Sequence, residues 1–167
     1  MKRLYVIRHA KSSWEGSNVD DFERPLNPRG KRDAPRMGKR LKEKNVYPDL
    51  MLSSPAKRSL STSKRIAKAI KYPKAEIKSD LRLYLADEET MMSVIHELDD
   101  KNSTVMIFSH NPGLTDFVNS LTTEALDIDN VPTCGVIGFQ FQAEEWKQIN
   151  WGTGQMLFFD YPKSRED

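Results

Sequence analysis

Three short apolar runs organise this chain, and each stops abruptly at residues able to hold an anion. Leu4-Tyr5-Val6-Ile7 ends at Arg8-His9, Leu50-Met51-Leu52 at Ser53-Ser54-Pro55, and Val105-Met106-Ile107-Phe108 at Ser109-His110-Asn111-Pro112-Gly113. Runs of this length, rich in β-formers, predict strands buried on both faces. Each is followed by apolar residues at helical spacing: Ala34, Met37 and Leu41, then Leu60, Ile66, Ala67 and Ile70, then Leu114, Phe117, Val118 and Leu121. The alternation predicts a three-layer α/β domain, a mostly parallel sheet flanked by helices. In such a sheet ligands bind at the carboxyl ends of the strands.

Local punctuation supports the same reading. Asn27-Pro28 offers an N-cap and a proline at a first helical position, although Pro35 predicts a kink or a later start. Ser54 is expected to cap a helix beginning at Pro55, with Arg58 in its opening turn. Asp87 is a candidate cap for a helix that turns Met91, Val94, Ile95 and Leu98 inward. From Gly135 the texture predicts strands, at Val136 to Phe141, at Trp146 to Trp151 and at Met156 to Phe159. No repeat or long linker divides the 167 residues, so residues 1–162 read as one domain and 163–167 as a frayed tail.

Composition narrows the function classes. No stretch approaches the ~20 apolar residues of a spanning helix, and the four apolar residues before Arg8 are too few for a secretory signal, so a cytoplasmic location is expected. A single cysteine, Cys134, permits no internal disulfide and no thiolate metal site. Net charge is only +2, but residues 1–78 carry 21 basic against 8 acidic side chains, and residues 79–167 carry 5 against 16. The basic clusters, Arg29 to Lys44 and Lys57 to Lys78, lie at helical spacing without interleaved aromatics, which favours solvated helix faces over a nucleic-acid surface.

The chemistry lies at the strand ends. If the three strands are parallel, Arg8, His9, Arg58 and His110 converge near the positive N-terminal ends of the following helices, a setting suited to a phosphate dianion. An Arg-His pair alone is weak evidence; two strand-end histidines with an arginine in a third βα turn are not. His96, between Ile95 and Glu97 in a helix, reads as a surface residue. Ser12, Ser13, Ser53 and Ser54 read as turn and cap residues whose hydroxyls could reach a phosphate. No glycine-rich phosphate loop or metal-binding cluster is evident, and no cofactor is expected.

In order along the chain, Arg8-His9-Ala10-Lys11-Ser12, Leu26-Asn27-Pro28-Arg29-Gly30, Ser53-Ser54-Pro55-Ala56-Lys57-Arg58 and Ser109-His110-Asn111-Pro112-Gly113 resemble the signatures of the histidine phosphatase superfamily, the phosphoglycerate mutase-like fold. The Arg-His-Ala-Lys-Ser-Ser-Trp start is most similar to bacterial SixA-like phosphohistidine phosphatases. The resemblance implies that His9 is a nucleophile forming a phosphohistidine intermediate without a metal, that Arg8 and Arg58 clamp the phosphoryl oxygens, and that His110 is a further donor; Ser12 and Ser109 complete the expected phosphate-binding set. Where many ester-cleaving members place a glutamate proton donor after a leucine-arginine pair, this chain has Leu81-Arg82-Leu83. That departure favours a P–N bond, whose imidazole leaving group, with a pKa of ~6.5, needs less help than an alkoxide. Asp20, Asp21, Glu23, Glu88 or Glu89 could still supply a proton from a loop. The expected partner is a phosphohistidine-containing protein, or a small phosphorylated substrate, met by a monomer. The alternatives are a broad small-molecule phosphomonoesterase or phosphoglycerate mutase-like enzyme, and a non-catalytic phospho-ligand-binding module.

Overall fold

The computed structural model describes residues 1–14 and 20–167. Six strands form one sheet: β1 (Lys2–Arg8), β2 (Leu50–Ser53), β3 (Lys78–Ser79), β4 (Thr104–Ser109), β5 (Val136–Phe141) and β6 (Gln155–Asp160), in the order β3-β2-β4-β1-β5-β6. The pairs β2–β3, β2–β4 and β1–β4 are parallel, while β5 runs antiparallel to both β1 and β6. Only β5 therefore opposes the common direction, and the expected mostly parallel sheet is present. Arg8 is in register with Ser109, and Ser53 with Phe108, so the three polar strand ends meet at one edge.

Strand alternation assigns the two faces. Tyr5, Ile7, Met51, Met106 and Phe108 face α1 (Pro28–Glu43) and α2 (Lys57–Ile70), which bury Ala34, Met37, Leu41, Ile66, Ala67 and Ile70 against them. Leu4, Val6, Leu52, Val105 and Ile107 face α3 (Glu88–His96) and α4 (Gly113–Leu121) through Met91, Ile95, Leu114, Phe117 and Val118. Charge divides the same way. Lys31, Arg32, Lys39, Lys57, Lys64 and Lys68 are exposed on the α1–α2 layer, and Glu89 and Asp116 on the α3–α4 layer, which continues into exposed Glu97, Asp99, Glu124 and Asp127. The excess of basic residues in the first half is thus a property of one face of the molecule.

Several local expectations change. Asn27 caps α1, its side chain accepting from Gly30 N at 2.9 Å, but the helix runs through Pro35 to Glu43. Packing of its apolar stripe offsets the ~3 kcal/mol that an interior proline costs. Helix α2 begins at Lys57 with Ala56 at the N-cap, leaving Pro55 outside and Ser54 without a capping role. Asp87 caps α3 as expected. The strand expected at Trp146 to Trp151 is a 3-10 turn at Trp146–Gln148, because the Trp146 ring is fully buried and its indole N–H donates to the Asn102 carbonyl at 2.7 Å.

The last residues, expected to fray, fold back onto α1. Buried Arg40 donates to the Asp167 carboxylate and to the Tyr161 and Pro162 carbonyls, and Arg165 pairs with Glu43. A guanidinium removed from water needs such partners, and the tail supplies them. Among the described residues no helix is long and apolar enough to cross a membrane.

Candidate active site

At the carboxyl edge of the sheet a pocket of about 230 Å³ is lined by Arg8, His9, Lys11, Ser12, Trp14, Asp21, Arg24, Arg58, Leu85, His110, Asn111 and Thr133. Four of these, Arg8, His9, Arg58 and His110, are the residues expected from the strand ends. The chain leaves β1 at His9, whose backbone N–H is held by the Ser109 carbonyl at 3.3 Å, while Ala10 N donates to Thr62 Oγ1 on α2. The strand end is therefore tied to both its β4 neighbour and the helix that carries Arg58.

The protonation of His9 follows from its contacts. Nδ1 lies 2.7 Å from the Ala10 carbonyl, which can only accept, so Nδ1 carries the proton and Nε2 keeps its lone pair. Burial pushes the pKa of the ring down to about 3, and His110, Arg58 and Arg8 push the same way against the Ala10 hydrogen bond. His110, with its ring centroid 5.2 Å from that of His9, is likewise lowered to about 3, by burial first and then by Arg58, outweighing Asp21. Both histidines are neutral at pH 7. Its Nε2 is 2.7 Å from Ser54 Oγ.

Two guanidiniums flank the rings. Arg8 donates from Nη1 to the Val131 carbonyl at 2.9 Å, a carbonyl that also accepts from Asn111. Arg58, only 2% exposed, donates to the backbone and carboxylate oxygens of Asp21 at 2.7 and 3.1 Å. Burial and the facing Arg58 charge both lower the Arg8 pKa, a sign of two cations crowded around one space. Among the described residues, four buried side-chain atoms have no hydrogen-bond partner, and three of them, Arg8 Nε, Arg58 Nε and His110 Nδ1, belong to this pocket. Buried polar groups are seldom left so, and the two arginines and two histidines on this lining suit an oxygen-rich anion.

Sequence reasoning missed three participants. Arg24, nearly buried, donates to Ser12 Oγ at 2.7 Å and to Asp21 at 3.1 Å, and its guanidinium lies 3.5 Å from the Trp14 ring centroid. Tyr84 donates to Asp21 and stands edge-on to His110 at 5.5 Å. Trp14 forms part of the wall and is 76% exposed. None follows a strand end, and only the Arg-His-Ala-Lys-Ser-Ser-Trp run pointed towards Trp14.

Two serine expectations exchange places. Ser12 lines the pocket, with Arg24 as its donor. Ser109 does not: its hydroxyl is fully buried and donates to the Leu83 carbonyl at 2.8 Å, because the pleat that turns Phe108 towards α2 turns Ser109 to the opposite face. Ser54, expected as a cap, instead contacts His110. Of the candidate proton donors only Asp21 reaches the pocket. Its pKa is about 2: against the upward push of burial, hydrogen bonds from Tyr84 and Arg24 and the Arg58 charge keep it ionised. Glu88 accepts from Ser120, away from the site. Leu83, in the slot where a glutamate was sought, is wholly buried in the α3–α4 core. Among the described residues no group of His, Cys, Asp or Glu side chains is arranged to hold a metal.

Residues 4–83, just under half the chain, match the model of the histidine phosphatase superfamily (branch 1). The SixA protein of Agrobacterium tumefaciens superposes with a TM-score of 0.82 at 27% identity, covering 96% of this chain and 98% of that one. A protein histidine phosphatase SixA complexed with tungstate gives a TM-score of 0.80 at 18% identity, over 96% and 97% of the two chains. An uncharacterised chloroplastic protein of Arabidopsis thaliana is 28% identical over 155 residues, 88% of this chain and 70% of its own.

Proposed function

We propose that the chain, whose residues 4–83 match the histidine phosphatase superfamily and whose fold matches SixA, is a phosphatase that acts through a phosphohistidine intermediate on His9, with phosphohistidine in a protein as its substrate. The observation that carries the reading is the convergence of a neutral His9, its Nε2 lone pair unprotonated, with three buried nitrogens that have no partner. An attacking nucleophile and a cradle of donors are what phosphoryl transfer requires of a protein.

In the first step the Nε2 lone pair forms a bond to phosphorus as the bond to the leaving group breaks, its electron pair staying with the departing atom. Arg8, Arg58 and His110 hold the non-bridging oxygens, the neutral His110 as a hydrogen-bond donor; at ~4 Å each arginine–oxygen charge pair is worth about 4 kcal/mol at an effective dielectric of ~20. Water then attacks phosphorus, the His9 N–P bond breaks with its pair returning to Nε2, and inorganic phosphate leaves as the monoanion with both water protons on its oxygens. A phosphorylated imidazole already protonated on its other ring nitrogen departs as neutral imidazole and takes no proton from the protein. An alkyl ester would need a donor, and Asp21, the one carboxylate lining the pocket among the described residues, is held ionised.

The test is to incubate wild type and His9→Ala with a phosphohistidine protein and, separately, an alkyl phosphate. An acid-labile phosphoenzyme from the first donor, absent in His9→Ala, is expected. Absence of any intermediate from either donor overturns the catalytic reading, and rapid turnover of the alkyl phosphate overturns the preference for a P–N bond.

A further inference from the structure

In-line displacement places the leaving group on the side of phosphorus opposite His9. His9, Arg24, Arg58 and His110 are all less than a tenth exposed and form the floor, whereas Lys11, Trp14 and Leu85 are the exposed members of the lining. These three form the open side of the pocket. Two of them are large and apolar, with Trp14 76% and Leu85 56% exposed, and Trp14 is the most open large apolar side chain among the described residues.

Among the described residues, the Trp14 ring packs on Arg24. The Arg24 guanidinium lies 3.5 Å from its centroid, and Arg24 is itself fixed by Ser12, the Ser13 carbonyl and Asp21. A ring seated on an anchored cation keeps its orientation at low entropic cost, and its high exposure leaves apolar surface for a second flat group. Leu85 reaches the same mouth from a backbone with φ of 52°, a left-handed conformation unusual for leucine. No neutral acid stands among these residues.

We propose that Trp14 and Leu85 form a leaving-group subsite for a planar aromatic ring, so that the enzyme selects phosphoryl groups carried on an imidazole or aryl ring over those on an alkyl chain. This deepens the proposed function by assigning part of its substrate choice to a named surface. Stacking on Trp14 favours the ring in the bound state, and the same contact persists as the ring departs.

The test measures binding alone, so it stands apart from turnover. Phenylphosphonate and methylphosphonate share a phosphoryl head that cannot be hydrolysed and differ in ring against methyl. Their dissociation constants are measured by calorimetry on wild type, Trp14→Ala, Trp14→Phe and Leu85→Ala. Wild type is expected to prefer the phenyl ligand about tenfold, the order expected of one aromatic contact with its buried area. Trp14→Ala should bring the ratio near one, Trp14→Phe should restore much of it, and Leu85→Ala should reduce it. A wild-type ratio near one, or a ratio unchanged in Trp14→Ala, overturns the subsite. If the ratio behaves as expected while no phosphoenzyme forms, the subsite stands and the catalytic reading falls.

Discussion

Replacing Ser54 with alanine separates two roles that the sequence alone would confuse. As a helix cap, Ser54 would contribute ~1 kcal/mol to stability and nothing to rate. In the structure α2 is capped at Ala56 instead, and Ser54 Oγ lies 2.7 Å from His110 Nε2, with both residues essentially inaccessible to water. A hydroxyl both donates and accepts. It can give its proton to Nε2 of the neutral ring, which puts the ring proton on Nδ1, the buried atom without a partner, and it can accept from Nε2–H if a bound dianion protonates the ring. Either way Nδ1 carries a ring proton and is available as a donor. Without Ser54 the buried Nε2 loses its partner, at ~1–3 kcal/mol, and the tautomer with an Nδ1 lone pair facing the anion becomes available. If most of that cost falls on the transition state, kcat/KM drops by roughly 5- to 150-fold. The assay is steady-state turnover of a phosphohistidine peptide by Ser54→Ala, alongside urea unfolding. A variant that keeps kcat/KM within twofold of wild type, whatever its stability, would refute the assignment of Ser54 to His110.

Two further outcomes follow from burial and close packing. His9 and His110 are neutral in the fold down to about pH 3 but titrate near 6.5 when unfolded, so between these values the unfolded chain binds more protons and stability falls as pH falls, by up to ~1.4 kcal/mol per unit for each ring. Urea unfolding between pH 6.5 and 4.5 should show this slope, reduced in His9→Ala; Asp21, at about 2, contributes only below that window. Gly113 opens α4 just after His110, and a Cβ there would lie 1.8 Å from the Ala86 carbonyl oxygen. Gly113→Ala should cost ~1–3 kcal/mol through the backbone shift it forces and lower kcat by displacing the His110 turn; unchanged unfolding and kinetics would show that the two segments part easily.

The fold was largely legible because its signals are local. Strand runs such as Leu4 to Ile7 and the Asn27 and Asp87 caps depend on neighbours within a few residues, and they appear where the pattern puts them. Pro35 and Trp146 misled because tertiary burial overrode local preference at both. In the site, Arg8, His9, Arg58 and His110 were legible because parallel strands must bring their carboxyl ends to one edge. Arg24 and Tyr84 were not, since they come from segments without a periodic signal: Arg24 joins the pocket wall beside Ser12 and Trp14, and Tyr84 acts on it through Asp21.

Sequence by itself determined which chemical groups stand at the strand ends, and with them the cationic character of the site. Tertiary structure decided what each group does there. It set Ser54 against His110 and turned Ser109 away, it kept Asp21 charged, and it gave His9 a free lone pair by burying the ring beside the Ala10 carbonyl. Residue identity is written along the chain, but protonation and hydrogen-bond direction depend on burial and on partners as much as 123 residues away, and those exist only once the sheet has closed the distance.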